Sequence, residues 1–453
     1  MSITRRRDVD MTQGSITRHI ISFALPLLLG NLFQQFYNLV DTYVVGNYVS
    51  NEAYAAVGSV TPVINTFLGL FIGFSAGAGV VISQYYGAHR TEEVKRAVHT
   101  TVLFSLLLCL PFTAVTVSMM PTMLRLNNIP DNVWDDALTY LTIYFSGITA
   151  TLVYNIGSGI LRAVGDSRRP FYYLVVCALM NVVLDLLFVI RFGMGVAGVA
   201  LATVISQAVS ALLVVITLLR TSSCVRVEPR SLRIHRDMLG QIIRVGAPSG
   251  FQHALTAFSN VFVYRYINHF GDLFMSAWGT YSKVDQILFL PQQSIGTAVT
   301  TFVGQNLGSG QTDRAKRGIR LGLVYTLVIT GLGMIPVMLL ASPISAIFNK
   351  TPQVVEYASL LLRVITPFYL VNCFNHIYSG ALRGAGNSRV PMIIMLSTFV
   401  GCRQVYLFFM SRICNEVLPI AMGYPVGWIL CTTITVIYYH SVKLENSRLT
   451  GSR

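Results

Sequence analysis

Charged side chains are scarce in this chain. Asp, Glu, Lys and Arg together make up 11% of its 453 residues, against roughly 25% in an ordinary soluble domain, too few to cover a water-soluble fold of this length. Acids are the rarer sign, with 19 Asp and Glu beside 33 Lys and Arg. Cysteine is sparse too: the seven at 109, 177, 224, 373, 402, 414 and 431 form no C-x-x-C pair, and no His cluster has metal-ligand spacing. That excludes a disulfide framework and a zinc site. The opening stretch Met1–Gly14 lacks an apolar core, so no cleavable secretory signal is expected.

What is abundant is apolar sequence. Hydrophobic residues form 53% of the chain, and runs of about 20 recur throughout, each able to cross roughly 30 Å of hydrocarbon at about 1.5 Å per residue. Twelve spans are predicted, at 18–45, 53–84, 94–120, 133–156, 170–191, 195–220, 239–268, 273–306, 318–341, 353–379, 390–411 and 417–440. The net charge of +14 divides by side. Twenty-five Lys and Arg fall on one side of the spans, among them Arg5, Arg6, Arg7, Arg96, Arg162, Arg317, Arg383 and Arg453, whereas Arg125, Arg191, Lys350 and Arg412 alone fall on the other. Basic residues stay on the cytoplasmic side of a bilayer, so a multi-pass protein of the cytoplasmic membrane with both termini inside is expected. The basic excess records topology and argues against a nucleic-acid partner.

A thirteen-residue stretch occurs twice, as Ser158–Pro170 (SGILRAVGDSRRP) and Ser379–Pro391 (SGALRGAGNSRVP), with eight identities. At the same offset, near 221, Pro26 stands opposite Pro248, and Gln84, Gly87 and Lys95-Arg96 reappear as Gln305, Gly308 and Lys316-Arg317. Each half therefore holds six spans, and an even number makes the halves parallel repeats, as in many secondary transporters. The expected fold is an all-α membrane protein, twelve transmembrane helices in two parallel six-helix repeats around a central cavity. Its expected parts are a cytoplasmic arm 1–17, a lobe 18–220, a cytoplasmic linker 221–238, a lobe 239–440 and a cytoplasmic tail 441–453. Pro26 and Pro248 predict kinks in spans 1 and 7, either facing the cavity or arising from packing alone. Gly69, Gly73, Gly77 and Gly79 have the spacing of close helix contact.

Ionisable groups in hydrocarbon are costly and need a partner or a purpose. The first half has two, Asp41 in span 1 and Asp185 in span 5, both about 9–11 Å below the outer edge at about 1.5 Å per residue. Asn181, one turn before Asp185, shares its helix face, and Thr203 reaches the same depth in span 6. Two carboxylates, an amide and a hydroxyl offer hard oxygen ligands for a small cation, or a proton-sharing pair; the alternative is a set of polar groups bonded between helices with no transported ion. The second half has Val263, Tyr406 and Cys402 in place of Asp41, Asp185 and Asn181. It carries Arg265, Lys283, Asp285 and Arg403 instead, read as an ion-pair network, for instance Asp285 with Arg403, or as a second coupling site.

These residues resemble the multidrug and toxic compound extrusion (MATE) transporters. The resemblance rests on Leu161–Asp166 and Leu382–Asn387, the segment Phe302–Gly308, and Pro26, in order along 15–440. It implies export of chemically varied, often cationic, organic compounds against inward flow of H+ or Na+, with no cofactor. In members with an N-lobe cation site the ligands are an Asp on helix 1, an Asn and an Asp four apart on helix 5, and a Thr on helix 6, matching Asp41, Asn181, Asp185 and Thr203. A bound Na+ would then sit at Asp41 and Asp185, with no other metal expected. Another branch uses acids in helices 7, 8 and 10, of which Asp285 is the candidate left here. The expected protein is an antiporter and not an enzyme, a monomer in the lipid bilayer that moves small organic substrates by alternating access. The alternative within the same superfamily is a lipid-linked oligosaccharide flippase, with Arg265, Lys283 and Arg403 as its cationic groups. An intramembrane prenyltransferase would need more than Asp135-Asp136 to hold diphosphate.

Overall fold

A computed structural model describes residues 8–126 and 129–450, all of whose regular structure is helical. Arg5, Arg6, Arg7 and Arg453 lie outside the described residues. The helices group into twelve segments: α1 (Ile16–Tyr48), α2 (Asn51–Gly87), α3 (Thr91–Leu126), α4 (Asp131–Ser146 with Ile148–Ala163), α5 (Arg168–Arg191) and α6 (Gly195–Arg220) in the first half. The second half supplies α7 (Arg236–Asn268), α8 (Asp272–Gly308), α9 (Thr312–Leu339), α10 (Pro352–Gly384), α11 (Arg389–Ile413) and α12 (Val417–Ser441). They match the twelve predicted spans. Among the described residues nine are long and apolar enough to cross a membrane, and the bent pair in α4 makes a tenth. The remaining two, α7 and α8, hold Arg265, Lys283 and Asp285, which dilute their hydropathy.

Local chemistry sets the ends and breaks. Ser50 caps α2, its Oγ accepting from the Ala53 N–H at 3.0 Å, and Glu92 and Glu93 stand in the first turn of α3, where acids suit the helix dipole. α4 bends by 47° at Gly147, where a Cβ would lie 2.3 Å from Val204 Cγ1 of α6. At the equivalent place α10 is interrupted by the 3-10 turn Thr366–Phe368, with Pro367 at its centre.

The duplicated loop repeats in three dimensions. Gly165 and Gly386 adopt φ of +86° and +98°, a region open to glycine and strained for other residues. Asp166 Oδ1 accepts from the Arg168 and Arg169 N–H groups, each at 3.1 Å, and Asn387 Oδ1 accepts from Val390 N–H at 3.3 Å. Asp and Asn interchange here because the helix start needs a side-chain oxygen, which both supply.

The chain forms two compact units, one of 8–10 with Leu25–Gly250, the other of Met11–Ala24 with 251–450. Helices α1 and α7 thus contribute to both, and the points of passage lie within two residues of Pro26 and Pro248. The first unit is cored by Val45, Met120, Leu141, Phe145, Ile148 and Val199, the second by Phe274, Trp278, Leu361, Tyr369, Leu407 and Trp428. Within the first unit α2 crosses the start of α7 glycine on glycine: a Cβ on Gly73 would stand 1.9 Å from Gly250 N, and one on Gly77 2.3 Å from Gly246 Cα. The small-residue spacing of α2 therefore serves packing. The segment before α7 is also tied down, with Arg96 to Asp237 at 3.1 Å, His235 N–H to Thr100 Oγ1 at 3.0 Å and Glu228 N–H to His99 Nε2 at 3.2 Å. In the second unit the segment before α1 is held the same way. Met11 N–H donates to Gln305 Oε1 at 2.9 Å, and Arg314 donates to the Met11 and Gln13 carbonyls at 3.1 and 3.0 Å.

Candidate functional site

In the first unit the structure brings Asp41, Asn181, Asp185 and Thr203 into one buried cluster. Asp41 comes from the last third of α1, Asn181 and Asp185 from successive turns of α5, and Thr203 from α6; none is more than 8% exposed. The two carboxyls lie within electrostatic reach of one another. Asn181 Nδ2 donates to Thr203 Oγ1 at 3.4 Å, and that hydroxyl donates onward to the Val199 carbonyl at 3.1 Å. The arrangement fixes the Asn181 amide and leaves its oxygen free. Asp41 Oδ1, both oxygens of Asp185 and Asn181 Oδ1 have no hydrogen-bond donor. Buried oxygens in native proteins are overwhelmingly paired, so four orphans in one place fit a proton or a small hard cation.

Three groups escaped the sequence reading. Tyr37 stands one turn before Asp41 and within its electrostatic reach, and Tyr140 of α4 lies within that of both carboxylates. Tyr140 also stacks on Tyr144, ring centroids 6.2 Å apart. Tyr37 was within reach of reasoning, since a residue four before Asp41 shares its face; Tyr140 and Tyr144, one residue type among many in an apolar helix, carry no local signal. Directly after Asp185, α5 passes into the π-helical turn Leu186–Arg191, a distortion common at functional positions.

The second unit spreads its charges apart. Asp285 accepts hydrogen bonds from Tyr281, at 3.2 Å, and from Tyr369. Arg403, wholly buried, donates to Ser259 Oγ at 2.8 Å and to Asn260 Oδ1 at 3.0 Å, with Tyr424 on its π face at 4.8 Å. Among the described residues Asp285 and Arg403 form no salt bridge, so the pairing offered as an example from sequence is not made: hydroxyls and an amide take the place of the opposite charge. Lys283 lies over the Phe348 ring at 5.4 Å, and Arg265 is exposed.

A duplicated, all-helical, multi-pass chain with a buried carboxylate pair is the build of a membrane transporter. It belongs to the MatE family: the family's sequence profile matches residues 26–187 and again 248–408, once per half, from Pro26 and from Pro248. The chain is 29% identical over 448 residues to a probable multidrug resistance protein, YoeA, of Bacillus subtilis, covering 97% of each. It is 24% identical over 403 residues to a FAD transporter of Shewanella oneidensis, covering 88% of this chain and 87% of that one. Its fold matches a solved outward-facing multidrug resistance MATE family transporter with a TM-score of 0.90 at 22% identity, over 97% of this chain and 98% of the other.

Proposed function

We propose that the protein exports small organic compounds across the cytoplasmic membrane in exchange for H+ or Na+. The observation that carries this reading is the carboxylate pair Asp41 and Asp185, buried together with four oxygens that no donor satisfies. Asp41, Asn181 and Asp185 would hold the ion, with Thr203 positioning the Asn181 amide. A bound ion shifts a conformational equilibrium only by its different affinity for the two states, and a buried site whose oxygens lack partners gains most when the ion arrives. Alternating access would then come from two six-helix lobes, 18–220 and 239–440, joined by a linker 221–238, with the arm 1–17, the linker and the tail 441–453 in the cytoplasm and the protein acting as a monomer without a cofactor. The relatives' names range from multidrug resistance to FAD transport, so the substrate class has to be sought in this chain. The flippase alternative is weakened because Arg403, one of its three cations, is enclosed by its own unit.

Transport in proteoliposomes, with ΔpH and ΔpNa imposed separately, tests the proposal. Stimulation of export by at least one gradient is expected; stimulation by neither removes the antiporter reading.

A further inference from the structure

In the first unit, the segment between α6 and α7 carries charge that neither the carboxylate pair nor its own packing uses. The backbone of this segment is fixed in place. Val227 N–H donates to the Leu218 carbonyl of α6 at 2.9 Å, Glu228 N–H to His99 Nε2 of α3 at 3.2 Å and His235 N–H to Thr100 Oγ1 of α3 at 3.0 Å, while Val225 and Val227 are buried. None of these contacts uses an arginine side chain of the segment. Arg226, Arg230, Arg233 and Arg236, the last being the first residue of α7, are all exposed, and among the described residues none of the four forms an ion pair. The acids beside them are engaged elsewhere: Glu228 accepts from Ser231 Oγ at 3.4 Å, and both oxygens of Asp237 accept from Arg96 of α3 at 3.1 Å.

Depth decides what such a cluster meets. His99 stands eight residues into α3, about 12 Å along it from its first residue. From 97 to 124 α3 holds no Asp, Glu, Lys or Arg, and Leu106 and Leu107, two turns beyond the contact, are 43% and 57% exposed. The segment therefore crosses α3 where its charged base gives way to its apolar run, the level of the phospholipid headgroups. Ile234, exposed among the arginines, suits the same boundary, whereas a soluble phosphate ligand would need no apolar neighbour. Anionic lipids of the cytoplasmic leaflet attract basic clusters beside a spanning helix, and a planar guanidinium can grip a phosphate with two parallel hydrogen bonds. We propose that Arg226, Arg230, Arg233 and Arg236 form a docking surface for the phosphate headgroups of anionic phospholipids in the inner leaflet. This rests on the cytoplasmic placement of the linker in the reading above, and on no part of the ion coupling.

Equilibrium binding of tail-labelled phosphatidylglycerol and phosphatidylcholine to the purified full chain in neutral detergent, followed by fluorescence anisotropy, tests it. Phosphatidylglycerol is expected to bind more tightly. Combining Arg226→Gln, Arg230→Gln, Arg233→Gln and Arg236→Gln should weaken it about twenty-five-fold, which corresponds to two arginines per headgroup at about 1 kcal/mol each, and should leave phosphatidylcholine unchanged. A matched control changes four exposed basic residues of the second unit, Lys316, Arg317, Arg389 and Lys443, to Gln and should leave most of the phosphatidylglycerol binding in place. Circular dichroism checks the fold; where the fourfold variant does not fold, Arg226→Gln with Arg230→Gln replaces it, with a loss of about five-fold expected. Unchanged phosphatidylglycerol binding by a folded variant overturns the proposal. So does an equal loss in the control, which would make the effect one of overall charge, or displacement of the lipid by inorganic phosphate at matched ionic strength, which would assign the arginines to a soluble ligand. Binding needs no ion gradient, so failure of the antiporter reading would leave this result standing.

Discussion

In the fifth helix of the first half, Asp185 is the last residue before a π-helical turn; in the fifth helix of the second, Arg403 is the first residue after one, Leu396–Cys402. Both are wholly buried, and their environments differ. Arg403 has a hydroxyl and an amide oxygen on Nη2 and a ring against it, though its Nε and Nη1 lack acceptors, whereas neither oxygen of Asp185 has a donor. The duplicated scaffold thus accepts a buried charge of either sign near this level of its fifth helix. What sets the first half apart is an acid left without hydrogen bonds, the condition under which an arriving ion gains most.

Exchanging residues between the halves would break this comparison or sharpen it. The largest effect is expected from the acids. Asp41→Asn should abolish gradient-driven export while the protein still inserts and folds. The converse Val263→Asp should create no coupling and should destabilise the second unit by about 3 kcal/mol or more, since it buries a charge in an apolar core. Export assays on the two variants decide, and retained transport by Asp41→Asn would sink the coupling site.

The glycine crossing comes next. Gly77→Ala imports the second half's residue, Ala298, onto a helix contact only 2.3 Å from where its Cβ would fall, and should cost about 2–3 kcal/mol because backbone cannot yield as a side chain can. Ala298→Gly should cost about 1 kcal/mol through helix propensity alone. Thermal melts in detergent would show whether the two halves are this unequal.

The smallest effect is expected at the loop. Burial pushes the Asp166 carboxyl above its ordinary value despite the neighbouring Arg169 guanidinium at 3.2 Å and two backbone N–H groups. A raised folded-state value means that the group favours folding most while protonated, and that this contribution is lost as pH rises through it. Asp166→Asn keeps the accepting oxygen, as Asn387 does, and should match or slightly exceed the native stability at neutral pH, the difference vanishing below about pH 4. Melts of this variant across pH that show a clear loss at neutral pH would mean the ion pair with Arg169 dominates.

Much of this was legible in the sequence because its signals are one-dimensional. Hydropathy located the twelve segments, and a constant offset located the repeat. Depth along a helix, counted in residues, brought Asp41, Asn181, Asp185 and Thr203 together. What depth cannot supply is rotation about the helix axis. The turn Leu396–Cys402 adds a residue ahead of Arg403, swinging the remainder of α11 by about 100° relative to a regular helix, so the opposite charge nearest in the sequence pattern, Asp285, is not its partner. Tyr140 was hidden for a related reason, since its approach to the carboxylates depends on how α4 is aimed by the bend at Gly147.

The passage of α1 and α7 from one compact unit to the other bears on how the chain is made. Domains generally fold in the order in which they leave the ribosome, but the first unit needs 236–250, which emerge only after the linker, to fill the glycine crossing on α2. Residues Met11–Ala24 wait longer still, until Gln305 and Arg314 have been synthesised. Biogenesis is therefore interlocked: the earliest-made stretch of α1 is among the last to find its contacts, and a chain cut at the linker would yield two pieces, each lacking part of its own unit.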